Sequence, residues 1–195
     1  MLIYLDAGHG MKTAGKRCLK SIDPNETREN FLNRRVADYV QTIVGEAVTI
    51  KRSDDITGNR DVPLSERVNK ANSDNADFFI SIHHNAGVNG GSGGGTQVYF
   101  YGNDLMRPTH AQLLYDRTIE QTGLVGNRAD KIVKQNLYVL RKTVMPALLI
   151  ECGFMDSTTD TPIILTDSFA LQIAKGISNF ILYDINVCPT CKRPL

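Results

Sequence analysis

Short apolar runs alternate with longer stretches of helical spacing along this chain. Residues 1–6, 76–83 and 147–151 are near-continuous apolar runs that end in Asp6, His83 and Glu151. Runs of this length, bounded by turn residues, predict strands buried on both faces. Residues 96–101 alternate apolar and polar and predict a further strand, and residues 137–141 a fifth. The short, charge-flanked stretch 46–51 predicts an edge strand. Between them, Phe31, Val36, Val40, Ile43 and Val44 carry a helical period, so residues 28–44 predict a helix. Thr27 is placed to cap it, Glu29 to sit in its first turn and Gly45 to stop it. Residues 63–72 open on a proline and predict a second helix. Residues 108–122, ended by Gly123, predict a third, and 168–183 a last one. Residues 10–26 and 52–62 are polar loops. Residues 85–95 hold six glycines and are expected to be a mobile loop. Strands alternating with helices predict an α/β fold, a mostly parallel or mixed sheet layered by helices.

Composition narrows the function classes. The 195 residues suit one domain with a single core. A net charge of +1 gives no basic face for nucleic acid, and no apolar run approaches the roughly 20 residues of a membrane span. The first strand begins at the N-terminus with no basic-then-apolar leader, so the expectation is synthesis in the cytoplasm without a signal peptide. Four scattered cysteines, Cys18, Cys152, Cys188 and Cys191, make no disulfide framework.

The candidate chemistry lies at the strand ends. In open α/β sheets, sites gather where the strands end at their carboxyl side. His9 follows the first strand between two glycines, His83 ends the central strand, and Glu151 ends the last one. Catalytic zinc is held by three His or carboxylate ligands with a fourth position open to water. His9 and His83 supply two. Glu29 is the best third, at a helix start behind the first loop, and Glu26 in that loop is its rival. Glu151, on a buried strand, is suited to move protons because burial raises a carboxylate's pKa. Taken singly, each residue has an ordinary role: a satisfied structural histidine, a helix-capping charge at Glu29, or a Glu151 paired with Arg141.

Eight motifs occur in one order: Asp6-Ala-Gly-His-Gly10, Glu29 with Asn33, Leu64-Ser-Glu-Arg67 with Ala71-Asn72, Ser81-Ile-His83 with Asn85-Ala86, Asn127-Arg128, Leu137-Tyr-Val-Leu-Arg141, Met145-Pro-Ala147, and Glu151-Cys-Gly-Phe154. Together they resemble the zinc-dependent N-acetylmuramoyl-L-alanine amidases of the amidase-3 family over residues 1–183. The resemblance implies a twisted six-stranded sheet flanked by helices. It implies zinc on His9, Glu29 and His83, which decides between Glu29 and Glu26, and Glu151 as the catalytic carboxylate. It further implies peptidoglycan as substrate, cut at the amide between N-acetylmuramic acid and L-alanine, with Asn85, Asn127 and Arg128 as candidate substrate contacts. Two positions depart from the family pattern. His84 stands where a small residue is usual and is expected to face solvent or to stand behind the ligands. Ala129 replaces a common glycine after Arg128.

The setting expected from the resemblance is a phage endolysin or a sporulation-type autolysin, reaching the wall after release. The rivals are a zinc peptidase acting on the stem peptide and a non-catalytic wall-binding module. Residues 184–195 form a short tail in which Cys188-Pro-Thr-Cys191 is half of a zinc knuckle. That tail is the candidate start of a linker to a wall-binding or dimerising part.

Overall fold

The computed structural model describes residues 1–102 and 106–185. Six strands form one sheet: β1 (Leu2–Ala7), β2 (Thr49–Arg52), β3 (Phe78–Asn85), β4 (Gln97–Phe100), β5 (Ile132–Lys134) and β6 (Ala147–Phe154), in the order β2-β1-β3-β6-β4-β5. The pairs β2/β1, β1/β3 and β3/β6 are parallel, and so is β4/β5; β4 runs antiparallel to β6. The sheet is therefore mixed. Its three central strands, β1, β3 and β6, all point their carboxyl ends to the same edge.

Helices cover both faces. Alternate residues of the strands divide between two cores. Ile3, Leu5, Ile80, Ile82, Leu148 and Ile150 pack with α1 (Glu29–Val44), α3 (Met106–Thr122) and α6 (Asp167–Asn179). Tyr4, Phe79 and Leu149 pack with α2 (Leu64–Ser73) and α4 (Tyr138–Lys142). Each fully buried Leu, Ile or Phe contributes roughly 1.5–3 kcal/mol of burial, so β1, β3 and β6 are the most firmly held part of the sheet. A short α5 (Thr161–Ile164) precedes α6, and a π-helical segment, Phe180–Ile185, ends the described chain. There Asp184 takes a paired hydrogen bond from Arg117 of α3, at 2.9 and 3.0 Å. Among the described residues no helix is long and apolar enough to cross a membrane. Cys18 and Cys152 are buried free thiols. Cys188 and Cys191 lie outside the described residues.

Three expectations are corrected. Residues 137–141 are not a strand: they belong to α4, and the fifth strand is β5 at 132–134. Val139 and Leu140 are buried side by side, and the Thr143 hydroxyl donates to the Val139 carbonyl at 2.8 Å. That is the geometry of a helical turn, where adjacent apolar residues can share a face. Thr27 does not cap α1. Arg28 holds the cap position with no side-chain bond, since a guanidinium has no acceptor to offer the first turn, and the Glu29 N–H goes to the Lys16 carbonyl at 3.1 Å. Lastly, the glycine-rich loop is anchored. Asp156 accepts the N–H groups of Gly87, Val88 and Asn89 on one oxygen at 2.8–2.9 Å, and Asp160 accepts that of Gly95 at 2.7 Å. Glycine is required there by conformation, with φ of 125° at Gly87 and 105° at Gly95.

Candidate metal centre

The edge toward which β1, β3 and β6 run collects His9, His83 and Glu151, but β3 continues to Asn85 and β6 to Phe154, so His83 and Glu151 stand within the strands and not at their ends as the sequence reading has it. His9 lies two residues past β1 in the left-handed region, with φ of 63°. Such a conformation costs a non-glycine residue free energy and persists only where its surroundings impose it. Three side chains do so. Arg67 of α2, fully buried, donates to the Ala7 carbonyl at 2.7 Å and the His9 carbonyl at 3.0 Å. Asn30 donates to the carbonyls of Gly8 and His9 at 3.2 and 2.9 Å, and Asn33 to that of Gly8 at 3.1 Å.

Arg67 is held in turn by Asp6, at 2.7 Å with both side chains buried. Asp6 also accepts the hydroxyls of Ser53 and Ser81 at 2.6 and 2.7 Å. Burial by itself would raise the Asp6 pKa; the Arg67 charge and these hydrogen bonds outweigh it and hold the carboxyl below its usual range. Neither Arg67 nor Asn30 was given a role from sequence. The available signal was an arginine on the inward face of α2, beside Val68 and Ala71, where a charge needs a buried partner.

Glu29 is the first residue of α1, delivered to the edge by a short backbone ladder. Lys16 accepts its N–H, Arg17 pairs with Arg28, and Cys18 donates to the Thr27 carbonyl. Its carboxylate is buried. One oxygen, Oε1, lies 2.9 Å from Nδ1 of His83 and accepts the His84 backbone N–H at 3.3 Å. The other, Oε2, lies 3.4 Å from Nε2 of His9 and 3.9 Å from the Lys16 ammonium, yet has no hydrogen-bond partner. The His9 and His83 rings meet edge to face at 5.0 Å. One ligand atom from each of His9, Glu29 and His83 can be chosen so that all lie within 4.8 Å of one another. Glu26 is not in this group; it pairs with Arg17 at 3.1 Å.

The electrostatics suit a cation. Burial pushes the Glu29 pKa up, but the His83 hydrogen bond and the charges of His83, His9 and Lys16 bring it down to about 2. Burial lowers His9 to about 4, with Glu29 opposing. His83 is raised, because its bond to Glu29 and that carboxylate's charge overcome burial. His83 and Glu29 therefore share a proton where a divalent ion would compete for both. A tetrahedral ion with bonds near 2.0–2.1 Å sets its ligand atoms roughly 3.3 Å apart, and the His9–Glu29 separation of 3.4 Å meets that. With Oε2 buried and unpartnered, the donor set of two imidazoles and one carboxylate fits zinc.

Glu151 pairs in register with His83 on β3 and with Gln97 on β4. Burial raises its pKa to about 8, reinforced by the negative charge of Glu29 and opposed by His83 and Lys16. Its Oε2 is buried without a partner, and Arg141 donates elsewhere, to Asn136 at 3.0 Å. A protonatable carboxyl thus stands one strand from the ligand cluster. A cavity of about 330 Å³ opens beside the cluster, lined by Gly8, His9, His83, Leu64 and Arg67 among others.

The remaining sequence candidates separate. Asn85 sits at the end of β3, its side-chain nitrogen donating to Oε1 of the Gln97 side chain at 3.3 Å. Asn127 spends its side-chain oxygen on the Gly94 N–H at 3.0 Å and so braces the glycine loop. Arg128 lies over the Phe154 ring at 5.4 Å and lines a second cavity of about 470 Å³ with Gln97 and Asp130. His84 does not face solvent. It is buried behind the ligands, with Nδ1 2.8 Å from the Asn33 side-chain oxygen.

Comparison with known proteins agrees with this geometry. The sequence pattern of Amidase_3, N-acetylmuramoyl-L-alanine amidase, matches residues 3–183. The chain is 32% identical over 200 residues to the sporulation-specific N-acetylmuramoyl-L-alanine amidase of Bacillus subtilis (strain 168), covering 99% of this chain and 71% of that protein. It is 31% identical over 193 residues to the endolysin of Bacillus phage SPP1, covering 95% and 66%. Its fold matches the N-acetylmuramoyl-L-alanine amidase AmiC2 of Nostoc punctiforme with a TM-score of 0.81 at 28% identity, over 93% of this chain and 95% of that one.

Proposed function

This chain belongs to the Amidase_3 family of N-acetylmuramoyl-L-alanine amidases, and from that premise we propose how its residues divide the work. The substrate is peptidoglycan, and the bond cut is the amide joining N-acetylmuramic acid to L-alanine. His9, Glu29 and His83 hold a zinc ion. When bound, zinc lowers the pKa of water toward ~7 and polarises a carbonyl. Glu151 takes the proton of the attacking water and delivers it to the leaving alanine nitrogen. Its buried position supports this role: a carboxyl with pKa about 8 can both hold and release a proton near neutral pH. Arg128 lines the cavity on the β4 side of Glu151 and is offered as a contact for the stem peptide; Asn85, at the β3 end of the same edge, is a second.

The single observation that carries the zinc reading is the buried, unpartnered Oε2 of Glu29 between His9 and Lys16. A buried carboxylate oxygen with no hydrogen bond is costly unless a cation takes that place. Similarity to both a phage endolysin and a sporulation-specific amidase supports a lytic role on the cell wall; in this proposal the enzyme reaches the wall by release from the producing cell.

The test is a digest of purified peptidoglycan, read by mass spectrometry, with and without a zinc chelator. The expected products are intact stem peptides with a free L-alanine N-terminus, lost on chelation and restored by zinc. Cleavage inside the stem peptide would instead identify a peptidase. Undiminished cleavage after complete metal removal would overturn the zinc reading.

A further inference from the structure

We propose that His84 is a positioning residue for the metal centre, acting through Asn33 on both Glu29 and the turn that carries His9. The proposal rests on the metal reading above. Adjacent residues of a strand face opposite sides of the sheet, so His83 points to the ligand cluster and His84 is buried on the α1 side. There its Nδ1 lies 2.8 Å from the Asn33 side-chain oxygen. The Asn33 nitrogen faces two acceptors, the Gly8 carbonyl at 3.1 Å and Oε1 of Glu29 at 3.5 Å. Two acceptors on one side fix the orientation of the amide, so its oxygen must face His84. His84 therefore carries its hydrogen on Nδ1 and donates it.

The chain of contacts has two ends. One is Oε1 of Glu29, which also accepts the His84 backbone N–H at 3.3 Å. Tying down Oε1 aims Oε2 at the cluster. The other is the Gly8 carbonyl, which fixes the peptide leading into His9 at its φ of 63°. Losing the His84 donor leaves the Asn33 oxygen buried and unsatisfied, and the amide is then free to turn away from both. Groups that orient ligands from behind change metal affinity by about 10- to 100-fold when removed. A phenylalanine at this position would fill the space of the ring but could not donate.

The test measures zinc affinity by competition with a chromogenic chelator, alongside thermal melting of the metal-free proteins. His84→Phe and Asn33→Leu are each expected to weaken zinc binding by about tenfold or more. The double variant should lose little beyond the larger single loss, because both substitutions cut one chain of contacts. His84→Gln, which keeps a donor, should stay within about threefold of the parent. Should His84→Phe fail to fold, Asn33→Asp serves in its place. It keeps the oxygen facing His84, replaces the nitrogen by an acceptor, and should still lose about tenfold. Parent-like zinc affinity in His84→Phe, or in Asn33→Asp where that variant stands in, overturns the proposal. So does a loss in His84→Gln equal to that in His84→Phe. A parent protein that binds no zinc at all overturns the metal reading, and this proposal with it, which is a different outcome from variants alone failing to respond.

Discussion

Gly8→Ala puts the packing of the proposed metal centre to a sharp test. A Cβ built on Gly8 falls 2.1 Å from Cε1 of His83 and 2.3 and 2.5 Å from its ring nitrogens. It would overlap the ring far inside van der Waals contact. Ordinary contact begins near 3.4 Å, so the imidazole must retreat by about 1.3 Å. Nothing in the Gly8 backbone resists alanine, since its φ is not positive; the effect is steric alone. A retreat of that size displaces the ring from its 2.9 Å placement against Glu29. It also far exceeds the ~0.2 Å tolerance of a zinc–ligand distance. Zinc affinity is expected to fall by about 100-fold, equivalent to about 2.8 kcal/mol. If the backbone yields instead of the ring, β1 shifts against β3, because the Gly8 N–H bonds the Ile82 carbonyl at 3.0 Å. That route costs about 1–3 kcal/mol of stability. Chelator competition measures the first effect and urea unfolding of the metal-free protein the second. Parent values in both would refute the reasoning, because the added carbon cannot be accommodated without one of them.

Two further predictions follow from the buried charges. Glu151→Gln should keep its zinc and lose about 10²- to 10⁴-fold in hydrolysis. It should also change the pH dependence of metal-free stability. The folded state holds Glu151 protonated up to about 8, while the unfolded chain releases that proton near 4.5, so this group removes stability as pH rises between the two. Glu29, lowered to about 2, acts oppositely: it stabilises above 4.5, and that is lost as pH falls toward 2. Urea titrations from pH 5 to 8 should show the parent losing stability relative to Glu151→Gln; parallel curves would sink the assignment of a protonated Glu151. Arg67→Met should cost about 3–5 kcal/mol, because the Asp6 charge is left buried without its counter-charge, the Ala7 carbonyl loses the Arg67 donor and the His9 carbonyl keeps only Asn30. A loss under ~1 kcal/mol in denaturant unfolding would remove Arg67 from its place as the clamp of the His9 turn.

The strand endings were legible because burial and chemistry coincide there. An apolar run that stops at His83 or Glu151 marks a buried strand and the place where polar chemistry enters it, although β3 and β6 run on to Asn85 and Phe154. Glu29 was legible as a candidate from its place in a helix's first turn, but Glu26 fitted the same description. The residues alone could not choose between them, and the family motif did. The misread strand at 137–141 has a plain cause. Five residues with two apolar neighbours are too few to separate a helical turn from a strand, and packing against α2 decided it. The anchored glycine loop was misread for a related reason. Its fasteners, Asp156 and Asp160, stand some 70 residues away in sequence.

By itself the sequence determined the class of fold, the strands that carry chemistry, and the kinds of donor atom available. These depend on periodicity and residue type, which are local. The tertiary structure decided the rest: that Oε2 of Glu29 is buried without a partner, that Asp6 and Arg67 lock the turn under His9, and that His84 faces away from the cluster and touches Asn33. Each of these joins segments distant along the chain, and a pairing energy depends on distances of a few ångströms that no local pattern encodes.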